Sequence, residues 1–260
     1  MALWRIHSKR AIDRRVDSLG SASDSHETKI FESDSLSDLP DPVRTYFDSV
    51  IEDGRSYVSR ARLTQEGEFL LGGATGSWKP MVATQYFSSD PPGFLWDAKI
   101  DVFPMVPARV VDAYENGKGT LEAKVLSVIP VANAGPNPEM NEGELLRYLA
   151  EAVWFPTALL PPEGVEWEPI DDRSAKATLE DGDNSATLVF HFDDDGLVER
   201  VHGDRYRQEE DSFAPWTGYF EGYEWQDGLR IPMSASVEWN LPDGPLPYWR
   251  ARIDSVDFKY

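Results

Sequence analysis

Cysteine is missing from all 260 residues. That absence excludes disulfides, thiolate nucleophiles, cysteine-based zinc sites and iron–sulfur clusters together. It also suits a reducing compartment, with a cysteine-free periplasmic protein as the alternative. Long apolar runs are missing too: nothing approaches the roughly 18 consecutive apolar residues of a membrane-crossing helix. The first twenty residues, MALWRIHSKRAIDRRVDSLG, break every apolar stretch with charge, unlike a secretory leader. No Asn-X-Ser/Thr sequon occurs, and the expected location is the cytoplasm. Cations are scarce: 25 Lys and Arg face 46 Asp and Glu, a formal charge of −21. Such a field repels phosphates, which makes nucleic acid and anionic membranes poor partners for the body of the protein. Only eight of the cations are Lys, an acidic, Lys-poor balance that fits either a salt-rich, halophilic cytoplasm, where screening tolerates self-repulsion, or simply an acidic mesophile protein.

Motifs that announce chemistry are equally sparse. Of the four His, His191 and His202 flank the Asp193–Gly196 turn and could pair with Asp193 or Asp204 in metal or acid–base work. Yet HxH, HxxxH and HExxH spacings are absent, and three adjacent Asp followed by Gly read as a polar hairpin, not a calcium loop. There is no G-x-S-x-G, P-loop or G-x-G-x-x-G string. Gly72–Gly76 lacks the Lys and following helix of a phosphate cradle. No catalytic residue, metal site or cofactor is therefore assigned.

What is present is core material: 41% hydrophobic residues and 12% aromatics, including nine Trp. Residues 1–20 hold five cations against two carboxylates. With Trp4, Ile12, Val16 and Leu19 on one helical face, they are a candidate for peripheral membrane contact or for docking on the acidic body. Residues 20–38, rich in Ser and Asp, read as a linker, so 1–38 form a basic tail and linker and 39–260 a single domain. Asp41 as N-cap and Pro42 at the first helical position open a short amphipathic helix through Val43, Tyr46, Phe47, Val50 and Ile51, stopped by Gly54.

The period then changes to two. Phe94, Trp96, Ala98 and Ile100 alternate with Leu95, Asp97, Lys99 and Asp101. Val106 to Tyr114 follow, Asn116-Gly117 marks a hairpin turn, and further alternating runs appear around Phe190, Val201 and Val237. About ten to twelve strands are expected. One stretch breaks this rhythm: Asn141–Trp154 predicts a helix with an apolar stripe of Leu145, Leu146, Leu149, Val153 and Trp154. Its opposite face carries Glu144, Arg147, Tyr148 and Glu151 at i, i+3, i+4 and i+7. The fold class is α+β: a mainly antiparallel curved sheet or half-open β-barrel, its concave face plugged by this helix and the N-terminal one.

Several strings resemble an uncharacterised bacterial and haloarchaeal domain family of unknown function. They are Leu39-Pro40-Asp41-Pro42-Val43-Arg44, Gly93-Phe94-Leu95-Trp96-Asp97-Ala98, Gly143–Glu151, Trp154-Phe155-Pro156-Thr157-Ala158-Leu159-Leu160, Arg205-Tyr206-Arg207 and Pro247-Tyr248-Trp249-Arg250. The likeness spans residues 39–260 and implies no catalytic residue. The strand–helix–strand order is similar to the half-barrels of bacterial lipoprotein carriers, which hold acyl chains, though the likeness concerns topology alone.

The helix face Glu144, Arg147, Tyr148, Glu151 has three readings: a solvated charge ladder, a structural pin or a ligand site. If buried, its charges need partners, and Asp97, Asp112, Arg205 and Arg207 are the strand residues able to supply them. Trp96, Trp167 and Trp239 read as core, while Trp216 and Trp249, beside Pro and Gly, are candidates for a pocket rim. The candidate ligand-binding set is thus Trp96, Asp97, Asp112, Glu144, Arg147, Tyr148, Glu151, Arg205, Trp216 and Trp249. The leading expectation is a non-catalytic module that binds a lipid-like or other hydrophobic small molecule. Its rivals are a hydrolase using Glu144 or Glu151 beside Arg147 and an accessory interaction domain.

Overall fold

The computed structural model describes residues 2–19, 29–103, 106–125, 129–208 and 210–260. Trp4 and the stretch 20–28 lie outside the described side chains or residues. Two antiparallel meanders make up the sheet. The first runs β1 (Arg60–Leu71), β2 (Ser77–Ser88), β3 (Gly93–Phe103), β4 (Val106–Glu115), β5 (Lys118–Val125) and β6 (Ile129–Ala134). The second runs β7 (Val165–Asp171), β8 (Ser174–Asp181), β9 (Asn184–Phe192), β10 (Val198–Arg207), β11 (Ser212–Gln226), β12 (Leu229–Leu241) and β13 (Gly244–Lys259). They join where β1 pairs with β13, giving one sheet of 13 strands among the described residues, in the order β6-β5-β4-β3-β2-β1-β13-β12-β11-β10-β9-β8-β7. The expected ten to twelve falls slightly short.

The tight turns follow from residue chemistry. Asn116 and Gly117 both have positive φ (52° and 75°), which a two-residue hairpin loop demands and these residue types tolerate. They join Glu115 to its partner Lys118.

The chain leaves the sheet at β6 and re-enters at the far edge, β7. Between them lies the helix α3 (Pro138–Glu151). It begins three residues before the expected start, because Asn137 caps it: its side chain accepts a hydrogen bond from the Met140 amide, and Pro138 occupies the first turn. α3 crosses the concave face, touching β3, β4 and β5 on one side and β8, β9 and β10 on the other. Gly119 on β5 permits this approach, since a Cβ there would stand 2.6 Å from the Met140 carbonyl oxygen. Enclosed this way, α3 buries Leu145 and Leu149 together with Glu144 and Tyr148, so it has no solvated face over these turns. Short 3-10 turns continue it through Trp154, Phe155, Leu159 and Leu160, all buried. There the Trp154 indole donates to the Pro232 carbonyl.

The helix α2 (Asp41–Val50) buries Val43, Tyr46, Phe47 and Val50 and packs against β8 and β12. Pro40, not Asp41, holds its capping position, and Gly54 (φ 80°) sits in the turn beyond. The stretch 29–38, read from composition as linker, is corrected in part: Phe31 and Leu36 are fully buried in the main core. The helix α1 (Ala2–Ser18) lies on the convex side. There Ile12, Val16 and Leu19 cover Tyr86, Leu95, Val111 and Ala113, and Arg15 pairs with Glu115. No helix among the described residues is long and apolar enough to cross a membrane.

Candidate functional site

The concave face holds a half-open cavity of about 450 Å³. Its walls are mostly apolar: Ile100, Val110 and Leu121 from the first meander, Phe220, Val237 and Trp239 from the second. Along the side formed by α3 the lining turns ionic.

Strand register sets that ionic wall. Gln85 on β2 stands opposite Trp96 on β3, and Trp96 opposite Asp112 on β4. One lateral row of the sheet thus presents Gln85, Trp96 and Asp112 to the helix. Arg147 reaches into this row. Its Nη1 donates to Asp112 Oδ2 at 2.6 Å and its Nε to Glu151 Oε1 at 2.9 Å. Its guanidinium lies over the rings of Phe94 and Trp96, 4.7 and 5.2 Å from their centroids. Gln85 Nε2 donates to Glu151 Oε2 (2.6 Å), Gln65 Nε2 to Gln85 Oε1 (2.9 Å), and the Trp96 indole to Gln65 Oε1 (3.0 Å). The chain of bonds satisfies Glu151 on both oxygens.

Arg205 on β10 forms a second arm. It donates to Glu144 Oε1 (2.9 Å), to the Gly143 carbonyl (3.1 Å) and to the Tyr248 hydroxyl (3.2 Å), which also accepts from the Trp216 indole at 2.9 Å. Tyr248 is available because of a β-bulge. Register between β12 and β13 slips between Val237↔Trp249 and Glu238↔Pro247, leaving Tyr248 as the extra residue, so that Tyr248 and Trp249 both line the cavity.

The electrostatics follow from this burial. Arg147 is held above the ordinary guanidinium range because Glu151 and Asp112 outweigh its desolvation. Desolvation pushes Glu151 up, opposed by Arg147. Glu144 is raised to about 7, first by burial and then by the charge of Asp112, against the pull of Arg205 and Arg147. Asp112 Oδ1 and Glu144 Oε2 are buried without a hydrogen-bond partner.

The family model for a family of unknown function (DUF6544) matches residues 29–251. The chain belongs to this family. Its match begins where Phe31 enters the core. No match was found among curated proteins. Among solved structures the chain is similar to a LolA-superfamily protein from Nitrosomonas europaea, at 9% identity and TM-score 0.42, over 78% of this chain and 87% of that one. It is also similar to a β-barrel-like protein of a domain of unknown function (DUF1849) from Brucella abortus, at 12% identity and TM-score 0.27, over 78% of this chain and 99% of that one.

Of the residues singled out in the sequence, Trp96, Asp112, Glu144, Arg147, Glu151, Arg205, Trp216 and Trp249 all line the one cavity. Two do not. Asp97 follows Trp96 on β3 and so points to the convex side, where both its oxygens take Arg109 at 2.6 Å. Tyr148 turns into the core, edge-on to Phe155 with centroids 5.8 Å apart. Arg207 stands at the rim, paired with Glu210. Gln65, Gln85 and Tyr248 were missed. The two glutamines break otherwise apolar period-two registers (Leu63-x-Gln65; Ala83-x-Gln85-x-Phe87), a signal that could have found them; the bulge at Tyr248 has no such mark.

On the convex face His191 Nε2 and His202 Nδ1 lie 3.0 Å apart with their rings stacked. Burial, with Arg200 beside it, pushes His191 down to about 4. Among the described residues no group of three His, Asp or Glu is placed to hold a metal ion.

Proposed function

We propose that the domain is a non-catalytic binding module whose cup holds a lipid-like or other hydrophobic ligand. The observation that carries this reading is the cavity itself. Its volume of about 450 Å³ lies within the range of small-molecule pockets, and an apolar lining with a few convergent polar groups is their usual composition. Five Trp border it (Trp96, Trp154, Trp216, Trp239 and Trp249), supplying rigid apolar surface at low entropic cost.

A hydrolytic reading has one observation in its favour, the Glu144 carboxyl with its pKa near 7, which suits a general base. Against it, Glu144 and Glu151 each bond to an arginine, which engages both carboxyls as ion-pair partners.

Titration of the full chain with the neutral apolar fluorophore N-phenyl-1-naphthylamine tests the binding reading. Saturable one-to-one enhancement is expected, and Ala235→Phe, which fills the cavity from β12, should abolish it while the far-ultraviolet dichroism is retained. Enhancement that never saturates, or that survives Ala235→Phe unchanged, overturns the reading.

A further inference from the structure

We infer that the cup selects an amphiphile whose head group donates hydrogen bonds, a protonated amine or an alcohol, over a fatty-acid anion. The inference rests on the binding reading above and names the class of ligand for the same site.

Three carboxylates (Asp112, Glu144, Glu151) share the ionic wall with two guanidinium groups (Arg147, Arg205). Fully ionised, the wall carries a surplus of one negative charge; Arg207, the third arginine of the lining, is matched at the rim by Glu210. Both arginines are committed to protein acceptors: Arg147 to Asp112 and Glu151, and Arg205 to Glu144, the Gly143 carbonyl and Tyr248. Aromatic rings occupy the guanidinium faces as well. An incoming carboxylate would have to displace one of these bonds and would meet like charge.

The unpartnered atoms point the same way. Within this wall the buried side-chain atoms lacking a partner are Glu144 Oε2 and Asp112 Oδ1. Both are acceptors, on residues 3% and 5% exposed. A buried acceptor without a donor is strongly unfavourable, most of all when charged, so the missing complement is a donor. Asp112 and Glu144 line the same cavity and repel each other electrostatically; a protonated amine brings three N–H donors for these oxygens, and an alcohol brings one O–H for either of them. The charged and titratable groups facing such a head group are Glu144, Arg147 and Glu151 from α3, Asp112 from β4, Arg205 from β10 and Tyr248 from β13, with Tyr206 and Arg207 of β10 farther out in the lining. With Glu144 rising to about 7, an amine gains most above that pH, where the surplus charge is present.

The test is competitive displacement of N-phenyl-1-naphthylamine from the full chain at pH 8 by decylamine, 1-decanol and decanoate, all below micellar concentrations. Decylamine and decanol are expected to displace the probe at concentrations about tenfold lower than decanoate. Glu144→Gln should lower the amine-to-acid ratio, a quantity in which any general weakening cancels. Asp97→Asn, on the convex side, should leave that ratio alone. Equal displacement by all three, the result expected if an ordered water satisfies the two oxygens, overturns the inference while leaving the cup intact. Tighter decanoate overturns it too. Failure of the probe itself to bind overturns the binding reading beneath it.

Discussion

Replacing Arg147 by Met removes the one cation that Asp112 and Glu151 share, while keeping most of the side-chain volume. Breaking a buried ion pair by deleting one partner typically costs about 3–5 kcal/mol, because the remaining charge stays desolvated. Here two carboxylates are stranded, with side chains 7% and 14% exposed, although Gln85 continues to serve Glu151. The upper part of that range is therefore expected at pH 8. Against a typical total of about 5–15 kcal/mol the loss is large, and for a domain of this size it corresponds to a fall in Tm of roughly 10 °C or more.

The pH dependence separates this cause from a packing defect. Burial already holds the Glu151 carboxyl above its unfolded value, and loss of Arg147 removes the charge that opposes this rise. The destabilisation is then full above the folded pKa and shrinks on acidification as that carboxyl takes up its proton. Urea unfolding followed by tryptophan fluorescence at pH 8 and pH 5 measures both parts. A variant as stable as the parent, or one whose loss is identical at the two pH values, would refute the reasoning. Replacing Asp112, Arg147 and Glu151 together by Leu, Met and Met should recover most of the loss, because an apolar set leaves no charge to desolvate.

Three further outcomes are expected. Glu144, with its folded pKa raised to about 7, ionises more easily in the unfolded chain. It therefore makes stability decline as pH rises from the ordinary carboxylate range through about 7; Glu144→Gln should remove that slope in urea titrations, gaining on the parent as pH rises from 5 to 8. The Tyr46 hydroxyl is buried without a partner, and burial raises its pKa, so Tyr46→Phe should stabilise the protein by about 1 kcal/mol, read as a higher urea midpoint at unchanged slope. Asn137→Ala removes the cap of α3 and should cost about 1 kcal/mol, which a thermal melt would detect; an unchanged Tm would show that the cap is dispensable.

The fold was legible where the pattern is local. Phe94, Trp96, Ala98 and Ile100 alternate inward as their period implies, and Asn116-Gly117 forms the hairpin its residue types favour. The start of α3 was misplaced because Asn137-Pro138 lies before the apolar stripe, although the same N-terminal chemistry was read at Asp41-Pro42. Leu95 occupies an outward register and is nonetheless fully buried, since α1 returns to cover it; no window around Leu95 contains that information. In the cup, parity separates the two strand aspartates. Asp112 shares a row with Trp96, while Asp97 follows Trp96 along the strand and must face away. That distinction needed the pairing of β3 with β4, which the alternation alone does not supply. The helix face needed the enclosure of α3 before its three readings could be separated, and the bulge that aims Tyr248 inward depends on how β12 and β13 meet.

The most direct test of the account is a crystal structure of the protein soaked with 10-bromodecylamine, read through the anomalous signal of bromine. The account predicts the bromine inside the sheet near Trp239, with the nitrogen beside Glu144 and Asp112. Bromine confined to the outer surface, with the cup filled only by water, would contradict it.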